Sequence, residues 1–239
     1  MANRFAFKKP QVHQTLVYSV FLSITLGILS SQGNQWWIGL TARYSLFQIF
    51  VLGGFVLYFV WFWILGSIYL YFDHLCFEES SKPVGPPSWR QRLARYLTNA
   101  RIQGGALSRY DVPMRKVVPV VLFNQFFGTL PMQVLVLQIL VFRGLRSDVV
   151  VPGFLTMLVQ LALIIVFEEI FFYSGHRLLH WKPLFRAFHR IHHEFKRSTG
   201  IATHYVHFVE HIFGNLLPVF AGIIVVAPHP FVTFVWMFI

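Results

Sequence analysis

The sequence predicts an all-α protein embedded in a membrane, with about four transmembrane helices and a C-terminal hydrophobic hairpin. Three observations carry this. Of 239 residues, 56% are apolar and only 12% are charged, where a soluble domain carries roughly 25% charged residues. Several apolar runs approach or exceed the about 20 residues that a helix needs to cross the hydrocarbon core. Phe alone occurs 27 times, which excludes a disordered chain. The single cysteine, Cys76, excludes a disulfide framework and any site built on several thiolates.

The elements follow in order. Leu16 to about Ser31 is a short first span after a basic start, read as a signal-anchor rather than a cleaved leader, with Trp36 and Trp37 suited to an interfacial belt. Ser45 to Phe72 is long and nearly free of charge. Residues 80–110 form a polar, Arg-rich linker with a short basic amphipathic stretch around Trp89–Tyr96. Val117 to Phe142 is interrupted by Pro119, Gly128 and Pro131, so a kinked span and a re-entrant hairpin both fit. Val150 to about Tyr173 is the fourth run. Ile212 to Ile239 contains Pro218, Gly222, Pro228 and Pro230, and that punctuation predicts a hairpin. By this reading residues 1–116 are an N-terminal anchor and linker, and residues 117–239 are a second membrane domain.

The net charge is +11, from 20 Lys and Arg against 9 Asp and Glu. Nucleic-acid binding is the wrong reading, because the basic residues alternate with apolar runs instead of covering a soluble face. Counted between the runs they fall three, one, eight, two and six. By the positive-inside rule this predicts a cytoplasmic N-terminus, four crossings and a cytoplasmic segment 174–211.

That segment is the chemically unusual part of the chain. Eight of the eleven histidines lie between His176 and His211, where random scatter would place fewer than two. His176 and His180 are spaced i, i+4. His189, His192 and His193 are spaced i, i+3, i+4. Both patterns put imidazoles on one helical face. His204, His207 and His211 are a third group, either further ligands or a polar face. His13, His74 and His229 read as isolated interfacial residues. Imidazole suits iron, zinc, copper and nickel. Five histidines in two boxes exceed the three or four ligands of one zinc and approach a dinuclear site, so the predicted fold includes a cytoplasmic, His-rich helical metal site. Glu168 and Glu169 end the apolar run Leu161 to Phe167, where a carboxylate is costly unless paired or functional. Glu169, Tyr173, His176 and His180 share a helical stripe, which favours Glu169 as a carboxylate orienting a histidine. Its competitor is a helix-end acid paired with Arg177.

The stretch Glu168-Glu169-Ile170-Phe171-Phe172-Tyr173-Ser174-Gly175-His176-Arg177-Leu178-Leu179-His180, followed by His189-Arg190-Ile191-His192-His193-Glu194-Phe195, resembles the fatty acid hydroxylase/sterol desaturase superfamily. The likeness covers about residues 165–215 and points toward its C4-methylsterol oxidase and fatty acid hydroxylase domain-containing groups. The resemblance implies an endoplasmic-reticulum membrane enzyme with a di-iron, non-haem centre. It implies O2-dependent hydroxylation or desaturation of a sterol or fatty-acyl lipid, with electrons from NAD(P)H through a cytochrome b5-type donor. It implies His176, His180, His189, His192 and His193 as metal ligands. His207-Phe208-Val209-Glu210 stands where relatives have His-Pro-x-Glu, with Phe208 in place of the proline. Relatives also carry a further H-x2-H-H box beyond the hairpin. Because the sequence stops at Ile239, the expectation is a truncated form short of at least three ligands. Two other function classes compete. One is a catalytically silent, regulatory member of the family. The other is a divalent-metal transporter, disfavoured because no polar path crosses the other spans.

Overall fold

The computed structural model describes residues 32–80, 88–100, 112–146, 150–195 and 199–236, and no β-strand occurs among them. The expected first span, Leu16 to Ser31, lies outside the described residues, as does much of the linker.

Four helical runs are long and apolar enough to cross a membrane: Gln48–Glu78, Met114–Phe142, Phe154–Leu179 and Phe208–Val226. In the first, a wide-turn segment Gln48–Gly53 leads into α1 (Gly54–Ser80). The basic amphipathic stretch is helix α2 (Trp89–Ala100). It packs on the end of α1, where the Cys76 thiol lies 3.6 Å from the Ala94 carbonyl.

The run interrupted by prolines is one continuous helical passage, not a re-entrant hairpin: α3 (Met114–Asn124), a wide π-turn Gln125–Thr129 and α4 (Leu130–Phe142). Pro131 explains the wide turn. A proline ring clashes with the carbonyl four residues earlier, and an extra residue in the preceding turn relieves the clash without ending the helix. The same device recurs at His211–Leu216, just before Pro218. The two wide turns face each other closely. A Cβ on Gly128 would come within 2.6 Å of the His211 ring.

Helix α5 (Phe154–Leu179) starts later and runs further than the apolar pattern suggests, so it carries His176 within its last turn. A short helix α6 (Lys182–Ala187) and a 3-10 turn His189–Glu194 follow. A second 3-10 turn, Gly200–His204, leads to α7 (Phe208–Glu210), the wide turn His211–Leu216 and α8 (Leu217–Val226). Helix α8 crosses α5 at backbone contact: a Cβ on Gly222 would lie 2.6 Å from the Ile164 carbonyl oxygen. The predicted C-terminal hairpin is present. Ala227 takes the left-handed conformation with φ 43°, α9 (Pro230–Trp236) turns back, and the Trp236 indole donates to the Val219 carbonyl at 3.3 Å.

Two apolar clusters hold these elements. One joins Trp37, Phe50, Leu140, Met157, Ile164, Ile223 and Trp236. The other joins Val117, Val121, Ile201 and Tyr205, with Phe62 and Trp63 against them. The outer faces of α1 and α5 stay apolar and exposed, including Val60, Ile64, Leu155 and Ile170. A helix apolar on its outward face suits hydrocarbon as its solvent.

Candidate metal centre

The end of α5 and the 3-10 turn after α6 form the site. His176 and His180 project from one face, as their spacing requires, with Nε2 atoms 3.2 Å apart. His189 Nε2 lies 3.3 Å from His180 Nε2, and His193 Nε2 lies 3.0 Å from His189 Nε2. The four atoms form a bent row, each close to the next. Ligand atoms of His176, His180 and His189 all lie within 4.8 Å of one another. Adjacent nitrogens around one first-row ion, at metal–nitrogen distances of about 2.0–2.1 Å, stand roughly 3.0–3.4 Å apart. The observed separations fit that spacing. His193 extends the row past His189. His192 stacks on His189 at 5.4 Å between ring centroids, and its buried Nδ1 has no partner among the described residues.

The second box sits on a 3-10 turn, not on an α-helical face. The tighter turn brings residues i and i+3 nearly into register, which is why His192 stacks on His189 while His193 swings into the row. Burial, reinforced by the neighbouring imidazoles, pushes His189 down from its ordinary 6.5 to about 3. The same causes lower His192 and His193. Imidazoles held this way present neutral lone pairs, the form that binds metal.

The carboxylate that orients a box histidine is Glu210, not Glu169. Glu210 Oε1 is 2.7 Å from His189 Nδ1 and both side chains are buried. With the proton on Nδ1 and the carboxylate accepting it, Nε2 faces the row with its lone pair free. Glu169 is exposed and makes no hydrogen bond among the described residues. Nor does it pair with Arg177, which donates to the Tyr173 hydroxyl at 3.2 Å. In the sequence Glu210 stood out only through the resemblance, as the acid of His207-Phe208-Val209-Glu210. Phe185 on α6 had no signal, yet its ring packs edge-on to His189 and against His180 and His193.

A second anchor holds the far end of the turn. Lys116 donates to Glu194 Oε2 at 2.7 Å, and the buried Tyr205 hydroxyl donates to the same oxygen at 2.8 Å. The Lys116 hydrogen bond, aided by that of Tyr205, holds the Glu194 carboxyl below its ordinary range.

The third histidine group does not share one helical face. His207 caps α7, its Nδ1 accepting from the Val209 N–H at 3.2 Å. His204 and His211 instead approach each other at 4.9 Å between centroids, inside the bundle. The Tyr58 hydroxyl is 3.0 Å from His204 Nε2 and also accepts from the Gln125 amide. Thr129 Oγ1 is 3.0 Å from His211 Nε2. Burial drives His204 down to about 3. A cavity of about 400 Å3 opens beside this network, bounded by Tyr58, Thr129, Gln133, Glu168, His204 and Asn215 and by apolar side chains from α5, α8 and α9.

Residues 161–239 match the family model described as fatty acid hydroxylase. The chain is 34% identical over 135 residues to human fatty acid hydroxylase domain-containing protein 2, covering 56% of this chain and 40% of that relative. It is 27% identical over 204 residues to the very-long-chain aldehyde decarbonylase GL1-11 of Oryza sativa subsp. japonica, covering 84% of this chain and 67% of the relative. Similarity to methylsterol monooxygenase 2-1 of Arabidopsis thaliana reaches 25% over 201 residues, covering 84% and 66% of the two chains. The chain thus spans less than half the length of the human relative. No solved structure matches it.

Proposed function

We propose that the chain, similar over residues 161–239 to the fatty acid hydroxylase family model and to members of the fatty acid hydroxylase/sterol desaturase superfamily, is a membrane-bound, non-haem iron oxidoreductase of that superfamily. Its reaction would be O2-dependent oxidation of a sterol or fatty-acyl C–H bond. The row of Nε2 atoms carries this reading. His176, His180 and His189 would hold one iron, and His192 and His193 would begin the set for a second in a di-iron centre. Iron supplies the redox chemistry for O2 and an unactivated C–H bond, which zinc lacks.

The chain's own residues do the rest. Glu210 holds the His189 ring and its tautomer. Phe172, stacked on His176, and Phe185 pack apolar rings against the imidazoles, leaving His180 exposed. The cavity beside Glu168 receives the lipid. Lys and Arg of the loop segments suit an acidic donor by charge steering, consistent with a cytochrome b5-type protein relaying electrons from NAD(P)H. The charge alternation supports boxes that face the cytoplasm, and the family likeness supports the endoplasmic-reticulum membrane as their place.

The test is iron and zinc content per chain, by elemental mass spectrometry on detergent-purified protein after loading with ferrous iron. Iron should bind to the parent, and His176→Ala and His189→Ala should each weaken it at least tenfold while circular dichroism stays helical. Iron binding untouched by both substitutions in folded protein would sink the proposal.

A further inference from the structure

The cavity wall divides its polar groups into two sets. Tyr58 and Thr129 spend their hydroxyls on His204, Gln125 and His211. Gln133 and Glu168 do not. Gln133 is only 6% exposed, and its Oε1 has no partner among the described residues. A buried amide oxygen without a partner is costly to leave desolvated, so such a group on a cavity wall points to a ligand that completes it. Glu168 adds an acceptor nearby, and no Lys or Arg lines the cavity. Asn215 also lines the wall, its amide N–H donating to the Thr203 carbonyl at 2.9 Å, and Ile165, Val219, Phe220 and Trp236 supply the apolar part.

We infer that this cavity binds an uncharged lipid alcohol by its hydroxyl, with Gln133 as the residue that selects it. The inference rests on the reading of the chain as a lipid-oxidising enzyme and narrows its substrate class. A hydroxyl both donates and accepts. It gives its proton to Gln133 Oε1 or to the Glu168 carboxylate and takes one from the Gln133 amide N–H. An ionised fatty acid fails twice: it has no proton to donate, and it sets a second negative charge beside Glu168 with no cation to balance it. A plain hydrocarbon leaves Gln133 unpaired. At about 400 Å3 the space falls within the usual range for a small-molecule pocket, about 300–1,000 Å3.

The experiment uses the full chain in phosphatidylcholine nanodiscs with chelator present and no reductant. A diazirine analogue of 1-dodecanol is photocrosslinked, and the labelled peptides are read by mass spectrometry. Label should fall on the cavity helices. 1-Dodecanol should compete at least tenfold better than dodecanoic acid at pH 8, and dodecane should compete poorly. Gln133→Leu should cut labelling at least fivefold. Glu168→Gln, which keeps shape and removes charge, should let dodecanoic acid compete. Equal competition by acid and alcohol, or unchanged labelling in both variants, would overturn the inference. Since neither metal nor turnover enters this readout, failure of the oxidoreductase reading shows in iron content while failure of the alcohol subsite shows in competition.

Discussion

Glu210 Oε1 lies 2.7 Å from His189 Nδ1, across 21 residues and between two separate elements. The contact ties the first turn of the last long span to the centre of the histidine row. Replacing Glu210 by Gln keeps the volume and weakens the acceptor. Loss of such a partner typically lowers metal affinity about 10–100-fold. We expect Glu210→Gln to lower iron affinity at least tenfold in chelator competition, with helicity unchanged. Affinity equal to the parent would mean that the pair only fills space.

Acid should loosen the ion-free site. Burial and neighbouring imidazoles lower His189 from 6.5 to about 3, so between these values the unfolded chain binds a proton that the folded chain refuses. Stability therefore rises with pH across this window and is lost progressively as pH falls from about 6.5 toward 3. The slope is at most about 1.4 kcal/mol per pH unit for one such group. Thermal unfolding of ion-free protein at pH 7 and pH 5 checks the sign, and His189→Gln should flatten the difference. A melting temperature that rises on acidification would contradict the assignment.

The clamp on Glu194 should divide unequally between its two donors. Lys116 and Glu194 are both half exposed, and pairs of that kind contribute about 0–1 kcal/mol. Tyr205 is fully buried, and a hydrogen bond to a charged group contributes about 1.5–3 kcal/mol. Tyr205→Phe should therefore destabilise the protein more than Lys116→Met, by roughly 1 kcal/mol or more in chemical denaturation. The reverse order would show that the lysine, not the phenol, anchors the second box.

Much of the fold was legible because apolar run length and proline position are local properties. The C-terminal hairpin and the basic helix around Trp89 follow from them directly. The passage through Pro131 did not, because a wide π-turn that absorbs a proline leaves no mark in composition. The first box was legible as a helical face because α5 continues through it. The second was legible as a cluster of imidazoles but not as geometry, since a 3-10 turn and an α-helix share the same i, i+3 spacing over so few residues. Glu210 was harder. Its role depends on α7, at the start of the last long span, returning to the boxes, and no local pattern encodes that return.

His207 separates ligand chemistry from local structure. It lies within the histidine-rich segment, yet its Nδ1 accepts from the Val209 N–H at 3.2 Å as the cap of the last span, and its ring packs on Phe188 at 5.0 Å. A side chain that caps a helix can be replaced by another capping residue, whereas a metal ligand cannot. His207→Ser should keep the cap and His207→Ala should lose it, at about 0.5–2 kcal/mol. Neither should change iron per chain, whereas His189→Ala should. Loss of iron in His207→Ser with stability intact would move His207 into the metal set and require its ring to turn from Phe188 toward the boxes.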